Sequence, residues 1–253
     1  MRPDPPGREA GGRCKMDIEL YCEEYGSGEP LILLHGNGES SAYFAAQIGP
    51  LSARFRVFAV DTRGHGRSPR GTAPFTLDQF VEDLHAFLTA RGVARAHILG
   101  FSDGGNIALL YALKYPETVD RLVLNGANLC PGGVRPAVQI PIVLAYAALW
   151  PLAPFFDGAK RTRELLGLMV TLPHIDSAAL SALPMPVLVI AGTRDMIRTS
   201  HTRKIAQAIP RAQLALLEGD HFIAAKNSDA FNRAVLAFLT GGAPEPEKTD
   251  IRS

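Results

Sequence analysis

The chain has 253 residues, of which 47% are hydrophobic and 20% are charged, and its formal net charge is +1. This length and composition fit one domain with a sizeable core, and the balanced charge gives no electrostatic case for binding nucleic acid or a membrane. The three cysteines, Cys14, Cys22 and Cys130, lack any metal-binding or redox spacing. They indicate free thiols in a reducing compartment, so we expect a cytoplasmic protein with no metal and no cofactor.

The two ends of the chain differ in composition from its centre. Residues 1–15 are rich in Pro, Gly and Arg and lack the apolar stretch of a secretory signal. We expect residues 1–15 to form a disordered extension, residues 16–240 to form the domain, and residues 241–253 to form a disordered tail.

Between these ends, short apolar runs alternate with amphipathic stretches. The predicted strands are Ile18–Tyr25, Leu31–Leu34, Arg56–Val60, Ala96–Gly100, Arg121–Asn125, Val187–Ala191 and Gln213–Leu217. The predicted helices are Ala42–Leu51, Thr76–Arg91, Gly105–Tyr115, His201–Ile209 and Ser228–Leu239. This alternation predicts an α/β fold with a mostly parallel central sheet and helices on both faces. In such a fold, ligands bind beyond the carboxyl ends of the strands.

Residues 128–183 interrupt the alternation, because they contain no predicted strand. Within them, Pro136–Phe156 is mostly apolar but is broken by prolines, whereas a membrane span needs about 20 residues of continuous apolar helix. A buried core helix is one interpretation, and a helical lid over a pocket is the one we prefer. In a lid, Trp150, Phe155 and Met169 would contact substrate, although each could instead pack only against its neighbours.

The charged residues of this segment lie beside its apolar run and not within it. They are Arg135, Lys160, Arg161 and Arg163. We expect these cations to be solvated, so that the pocket accepts small to medium uncharged acyl groups, because burying an unpaired charge is costly.

Gly100 to Gly104 reads G-x-S-x-G and joins a predicted strand to a predicted helix. A serine at the centre of this pattern lies on a sharp strand-to-helix turn, where neighbouring backbone segments approach closely and favour glycine on either side. A bare pattern of this kind occurs by chance, and the flanking strand and helix are what make it informative. We therefore predict Ser102 as a nucleophile, with Phe101 beside it as a candidate substrate contact.

A serine hydroxyl is a weak nucleophile that needs a histidine base, which a carboxylate in turn orients. His221 follows the last predicted strand, and Asp195 follows the strand before it. Asp220 is a weaker candidate acid, because adjacent side chains usually diverge. Phe222, next to His221, is a further candidate substrate contact. We interpret five other histidines as structural or exposed: His65, His85, His97, His174 and His201.

Acyl transfer also needs hydrogen-bond donors aimed at the developing oxyanion. The backbone N–H of Asp103 lies at the start of a predicted helix, and the loop after the strand Leu31–Leu34 reads His-Gly-Asn-Gly. We predict the backbone N–H groups of Asp103 and Asn37 as the two donors. The glycine-rich loop could alternatively be simple turn chemistry.

These motifs together resemble the serine members of the α/β-hydrolase fold superfamily. From about Ile18 to Leu239 the chain carries LLHGNG, DTRGHGRS, GFSDGG, GTRD and GDHF in the expected order. The resemblance implies a helical lid inserted before the strand that bears the acid, and the G-x-S-D-G-G motif is similar to that of biphenyl hydrolase-like and enol-lactonase-type esterases. One departure is that only one strand is predicted before Leu31, where the family usually has two.

The resemblance implies a two-step reaction on a small-molecule acyl substrate. Ser102, deprotonated by His221, would attack an ester, thioester or lactone carbonyl, and water would then hydrolyse the acyl-enzyme. A cofactor-free haloperoxidase or a carbon-carbon bond hydrolase would use the same triad. A ligand receptor could keep these residues with little turnover.

Overall fold

The computed structural model describes residues 17–242. The predicted extension over residues 1–15, Cys14 and the tail beyond residue 242 lie outside the described residues. Within the described part of the chain, no helix is both long and apolar enough to cross a lipid bilayer.

The centre of the molecule is a seven-stranded sheet. Its strands are β1 (Cys22–Tyr25), β2 (Glu29–Leu34), β3 (Phe55–Val60), β4 (Ala96–Phe101), β5 (Val119–Asn125), β6 (Val187–Gly192) and β7 (Ala212–Leu217). They lie in the order β1-β3-β2-β4-β5-β6-β7, and every pair is parallel except β1 with β3. The mostly parallel α/β sheet predicted from the sequence is confirmed.

Eight α-helices accompany the sheet in the described residues. They are α1 (Ala45–Ser52), α2 (Leu77–Ala90), α3 (Asp103–Lys114), α4 (Pro136–Ala148), α5 (Asp157–Thr171), α6 (Thr199–Ala208), α7 (Ile223–Lys226) and α8 (Ser228–Leu239). Apolar side chains that alternate along β2 pack into separate cores on the two faces of the sheet, with Leu31 and Leu33 on one face and Ile32 and Leu34 on the other.

The register of the central strands brings their carboxyl ends to one edge of the sheet. Leu34 at the end of β2 is level with Gly100 of β4, and Gly100 is level with Leu124 of β5. Loops that leave these three strands therefore begin side by side, and the candidate site lies there.

The first strand is shorter than predicted. Ile18 and Leu20 are buried, as the alternating pattern indicates, but pairing with β3 begins only at Cys22. The backbone N–H of Tyr21 donates to Ser68 Oγ at 2.8 Å, and its carbonyl accepts from Asp61 N at 2.9 Å. The segment before β1 is thus held by hydrogen bonds to the loop that follows β3, and not by strand pairing within the sheet.

The predicted interruption of Pro136–Phe156 is only partly right. Pro141 lies inside α4, about one and a half turns from its start, and the helix continues to Ala148. Helices α4 and α5 pack on each other, with Gln139 Nε2 donating to the Met169 carbonyl at 3.1 Å. None of the residues of α4 is buried, whereas Leu168 of α5 is only 2% exposed.

Candidate active site

Ser102 lies at the turn between β4 and α3 in a strained backbone conformation. Its φ is 54°, and among residues 17–242 no other residue except glycine has a positive φ. A Cβ atom at Gly100 would collide with the backbone of Gly104, and one at Gly104 would collide with the Leu34 carbonyl. Close backbone approach therefore accounts for both glycines of the G-x-S-x-G pattern, and the tight turn presents the serine side chain beyond the strand end.

Ser102, His221 and Asp195 are joined by two hydrogen bonds. His221 Nε2 lies 3.0 Å from Ser102 Oγ, and His221 Nδ1 lies 2.7 Å from Asp195 Oδ1. Asp195 is 1% exposed, and the same Oδ1 accepts from the backbone N–H of Ile197 at 2.8 Å. A buried carboxylate that accepts from Nδ1 leaves Nε2 free to accept a proton from the serine, which is the arrangement of a general base.

Asp220 does not compete for this histidine. Its carboxylate accepts from the backbone N–H of Phe222 at 2.9 Å and forms an ion pair with Lys226. Two of the other histidines have partners elsewhere, since His201 Nε2 accepts from Leu129 N at 2.9 Å and His97 Nε2 lies 3.2 Å from Glu29. The structure therefore brings Ser102, His221 and Asp195 together, and their catalytic roles stay predictions.

The loop after β2 is held by His35. His35 Nδ1 donates to the Gly36 carbonyl at 2.7 Å, and Nε2 accepts from Thr62 N at 3.0 Å. Burial lowers the pKa of His35, so the ring is neutral. In a trans peptide the C=O and N–H point in opposite directions, so the Asn37 N–H points away from the His35 ring. A Cβ atom at Gly104 would collide with the Leu34 and His35 carbonyls, so this loop lies against the start of α3. The oxyanion roles of Asn37 and Asp103 stay predictions.

The side chain of Asn37 bridges to helix α5, a contact that the sequence does not reveal. Asn37 Nδ2 donates to the Leu165 carbonyl at 2.7 Å, and Asn37 Oδ1 lies 3.5 Å from His65 Nε2. His65 is buried, and burial lowers its pKa to about 4, so it is neutral near pH 7. The loop after β2 is thus hydrogen-bonded both to the loop after β3 and to helix α5.

Of the predicted substrate contacts, two lie beside the triad. Phe101 is 1% exposed, and its ring centroid lies 4.8 Å from that of His221, while Phe222 is 40% exposed with its ring 5.5 Å from His221. Phe101 is therefore part of the core beneath the histidine, whereas Phe222 is accessible to a ligand.

Trp150 and Phe155 are mostly exposed, at 67% and 78%, and Met169 is half-buried in α5. Arg163 stacks over the Trp150 ring at 4.4 Å. In the described region, neither aromatic side chain has a ring contact with the triad. Their roles in substrate binding stay predictions.

Asp103 carries a buried carboxyl group immediately after the nucleophile. Its Oδ1 accepts from Asn106 Nδ2 at 3.2 Å, and Oδ2 has no partner in the described part of the chain. Burial raises the pKa of Asp103 to about 6. Asn106 also bonds Asn128, whose backbone N–H donates to Asn106 Oδ1 at 2.9 Å. Among residues 17–242, no group of three or more His, Cys, Asp or Glu side chains is arranged to hold a metal ion.

A nucleophile turn between strand and helix, with a histidine and an acid after later strands of one parallel sheet, defines the α/β-hydrolase class. The family model for the alpha/beta hydrolase fold matches residues 29–171. The chain therefore belongs to the alpha/beta hydrolase fold family.

Relatives and solved structures cover most of the chain. "Putative carbamate hydrolase RutD" from Caulobacter sp. (strain K31) is 32% identical over 88% of this chain and 97% of its own length. The enol-lactonase from Burkholderia xenovorans LB400 has a TM-score of 0.75 at 24% identity, covering 88% of this chain and 97% of its own. A meta-cleavage product hydrolase from Pseudomonas fluorescens IP01 has a TM-score of 0.70 at 26% identity, covering 88% and 94%.

Proposed function

We propose that the protein is a serine hydrolase that cleaves a small carboxylic ester, thioester or lactone through an acyl-enzyme. The observation that carries this proposal is the pair of hydrogen bonds, 3.0 Å and 2.7 Å long, that joins Ser102 to His221 and His221 to Asp195. Serine is activated for attack on a carbonyl when an oriented imidazole can take its proton.

In the proposed reaction, Ser102 Oγ attacks the carbonyl carbon while His221 Nε2 takes its proton. The oxyanion that forms accepts hydrogen bonds from the backbone N–H groups of Asn37 and Asp103, the latter at the N-terminus of α3. Asp195 holds the Nδ1 proton and stabilises the imidazolium. His221 then protonates the leaving group and, in the second step, takes a proton from the water that hydrolyses the acyl-enzyme.

Carbamate hydrolysis is a second candidate. The relative from Caulobacter sp. that bears this activity in its name is 32% identical over 88% of this chain. Ser102 would attack the carbamate carbonyl and expel the alcohol to form a carbamoyl-enzyme, and water would then release a carbamic acid, which loses CO2 to give the amine. In either reaction we propose that α4 and α5 cover the substrate as a lid, supported by the Asn37 contact with Leu165 at 2.7 Å.

A substrate panel tests the proposal. We expect p-nitrophenyl acetate and butyrate to give a burst of p-nitrophenolate that approaches one equivalent per enzyme, followed by slower turnover. An alkyl thioester, a lactone and a carbamate measured beside them rank the substrate classes. The matched variant Ser102→Ala should lose both the burst and the turnover.

Other outcomes would replace the proposal. Bromination of monochlorodimedone with peroxide and bromide, without ester turnover, would indicate a haloperoxidase. Cleavage of a vinylogous 1,5-diketone alone would indicate a carbon-carbon bond hydrolase. Tight ligand binding with no burst on any ester, thioester, lactone or carbamate would indicate a receptor.

A further inference from the structure

Helix α4 and the loop after it carry most of the exposed apolar surface of the described residues. Of the eight large hydrophobic side chains that are exposed among residues 17–242, seven lie in this one stretch. Their exposed fractions run from 40% to 78%. We call them the α4 patch, and its members are Ile140, Val143 and Leu144 in α4, with Trp150, Leu152, Phe155 and Phe156 in the loop between α4 and α5.

The helical part of the patch points away from α5. Gln139 donates a hydrogen bond to a carbonyl of α5 at 3.1 Å, and the hydroxyl of Tyr146 accepts one from a guanidinium of α5 at 3.1 Å. These two residues mark the side of α4 that contacts its neighbour. Residues three and four apart share one face of a helix, so Ile140, Val143 and Leu144 form a stripe on the other side.

The loop continues this apolar surface across the end of the helix. The Arg163 guanidinium lies 4.5 Å from the Tyr146 ring and 4.4 Å from the Trp150 ring, so Trp150 lies beside the last turns of α4. The carbonyl of Leu152 accepts from the backbone N–H groups that follow it in a tight turn, at 3.0 Å and 3.1 Å. The aromatic residues of the patch are therefore gathered at one end of α4.

The area of the patch is close to what a stable dimer needs. At about 200 Å² for each aromatic side chain, its three aromatic residues expose roughly 400 Å². The four aliphatic residues add roughly 200 Å² at about 100 Å² each. The largest apolar patch on a monomer is usually about 300 to 600 Å². Exposed prolines and alanines lie between the patch residues, and they bring this face near the roughly 800 Å² that each partner buries in a standard interface.

The charges in and around the patch favour a second copy of this chain as its occupant. Pro136–Phe156 contains no charged residue. The patch can therefore face itself across a two-fold axis without like-charge repulsion and without burying an unpaired charge. The adjoining turn of α5 carries both signs, with Asp157 exposed beside Lys160 and Arg161. An anionic membrane surface instead selects a cluster of about four to eight basic residues.

We infer that the α4 patch is the interface of a two-fold symmetric dimer, in which the patch of one copy packs on the same patch of a second copy. The inference does not depend on the proposed reaction, because no residue of the triad belongs to the patch. Trp150, Phe155 and Phe156 are the anchors of the interface, since large aromatic side chains carry much of the energy of such contacts. Their exposure in the single chain is then the exposure of an uncovered interface.

Sedimentation velocity of the full chain over a concentration series tests the dimer. We expect the wild type to form a species of twice the 27.2 kDa chain mass, with a Kd in or below the micromolar range. A wild type that keeps the mass of one chain at every concentration would overturn the inference.

Two variants place a charge inside the patch. Leu144→Glu and Phe156→Glu should each raise the Kd of the dimer by at least about tenfold, because a two-fold interface would bury two unpaired like charges. Both side chains are exposed, at 65% and 61%, so circular dichroism and Tm should stay those of the wild type. The matched control Gln207→Glu adds the same charge at an exposed position of α6 and should leave the Kd unchanged. A dimer that both patch variants keep would overturn the inference.

Trp150 reports directly on what covers the patch, because it is the one tryptophan of the chain. Its side chain is 67% exposed in the single chain. As the wild type is concentrated through its Kd, quenching of the tryptophan fluorescence by acrylamide should fall about twofold, because the ring leaves water at the centre of the interface. In Leu144→Glu the quenching should stay the same over that range.

Other occupants give other patterns. A Trp150 that is shielded at every concentration, while the mass stays that of one chain, would mean that a segment of the same chain covers the patch. Shielding that appears only with vesicles of phosphatidylglycerol and phosphatidylcholine would mean a lipid surface. Either result would overturn the dimer.

Discussion

Replacing Gly126 with alanine should impair catalysis without removing any residue of the triad. Gly126 follows β5 with φ of +64°, and a Cβ atom there would lie 2.7 Å from His221 Cε1 and 2.9 Å from His221 Nδ1. Carbon atoms in ordinary contact are about 3.5 to 4.0 Å apart, so the imidazole has to move by about 1 Å. The hydrogen bonds of 3.0 Å and 2.7 Å on its two nitrogens cannot both survive that displacement.

A displacement of about 1 Å at a catalytic group typically costs about 10²-fold in rate, and we expect this loss in kcat for Gly126→Ala. Because alanine is strained at positive φ, the substitution should also lower the free energy of unfolding by about 1 to 2 kcal/mol. Gly92→Ala separates the two effects, because Gly92 has φ of +66° and a Cβ atom there would meet nothing within 4 Å. Steady-state kinetics on p-nitrophenyl butyrate and urea unfolding of both variants make the comparison.

Both variants should lose similar stability, while only Gly126→Ala loses turnover. If Gly126→Ala keeps a kcat within about threefold of Gly92→Ala, the position of the His221 ring does not govern the reaction. His221 would then not be the base.

Three further substitutions give independent predictions. Asp195→Asn favours the wrong tautomer of His221 and should lower kcat by about 10⁴-fold in steady-state assays, with near-normal turnover indicating a different acid. Burial raises the pKa of Asp103 to about 6 from 3.8, so the wild type loses stability as the pH rises from about 4 to 6. Asp103→Asn should therefore unfold at higher urea than the wild type at pH 7.5, by up to about 3 kcal/mol, with no such advantage at pH 3.5. Arg63 is 0% exposed and is bonded to both Asp83 and Asp17. Arg63→Met leaves the buried Asp83 unpaired and should cost about 3 to 5 kcal/mol in the free energy of unfolding, and a loss below about 1 kcal/mol would refute that account.

The proximity of Ser102, Asp195 and His221 was predictable from the sequence because each of them follows a recognisable strand. Ser102, Asp195 and His221 each lie in the turn that follows an apolar strand, and the carboxyl ends of parallel strands share one edge of the sheet. Residues that follow different strands of this sheet therefore lie close together, even when they are far apart in the chain.

Other parts of the site depend on contacts that no local pattern contains. Gly126 looks like an ordinary turn residue until its neighbour His221 is placed against it. An apolar run also does not say which of its faces is covered, so the exposure of Trp150 and Phe155 was not predictable from Pro136–Phe156.

The central claim is that Ser102 carries the acyl group, and covalent labelling tests it most directly. A fluorophosphonate probe is added to the wild type and to Ser102→Ala, and the site of the adduct is mapped by peptide mass spectrometry. We expect a single adduct on the peptide that contains Ser102, and no adduct in the alanine variant at unchanged thermal stability. Undiminished labelling of Ser102→Ala, or an adduct on another serine of the wild type, would contradict the account.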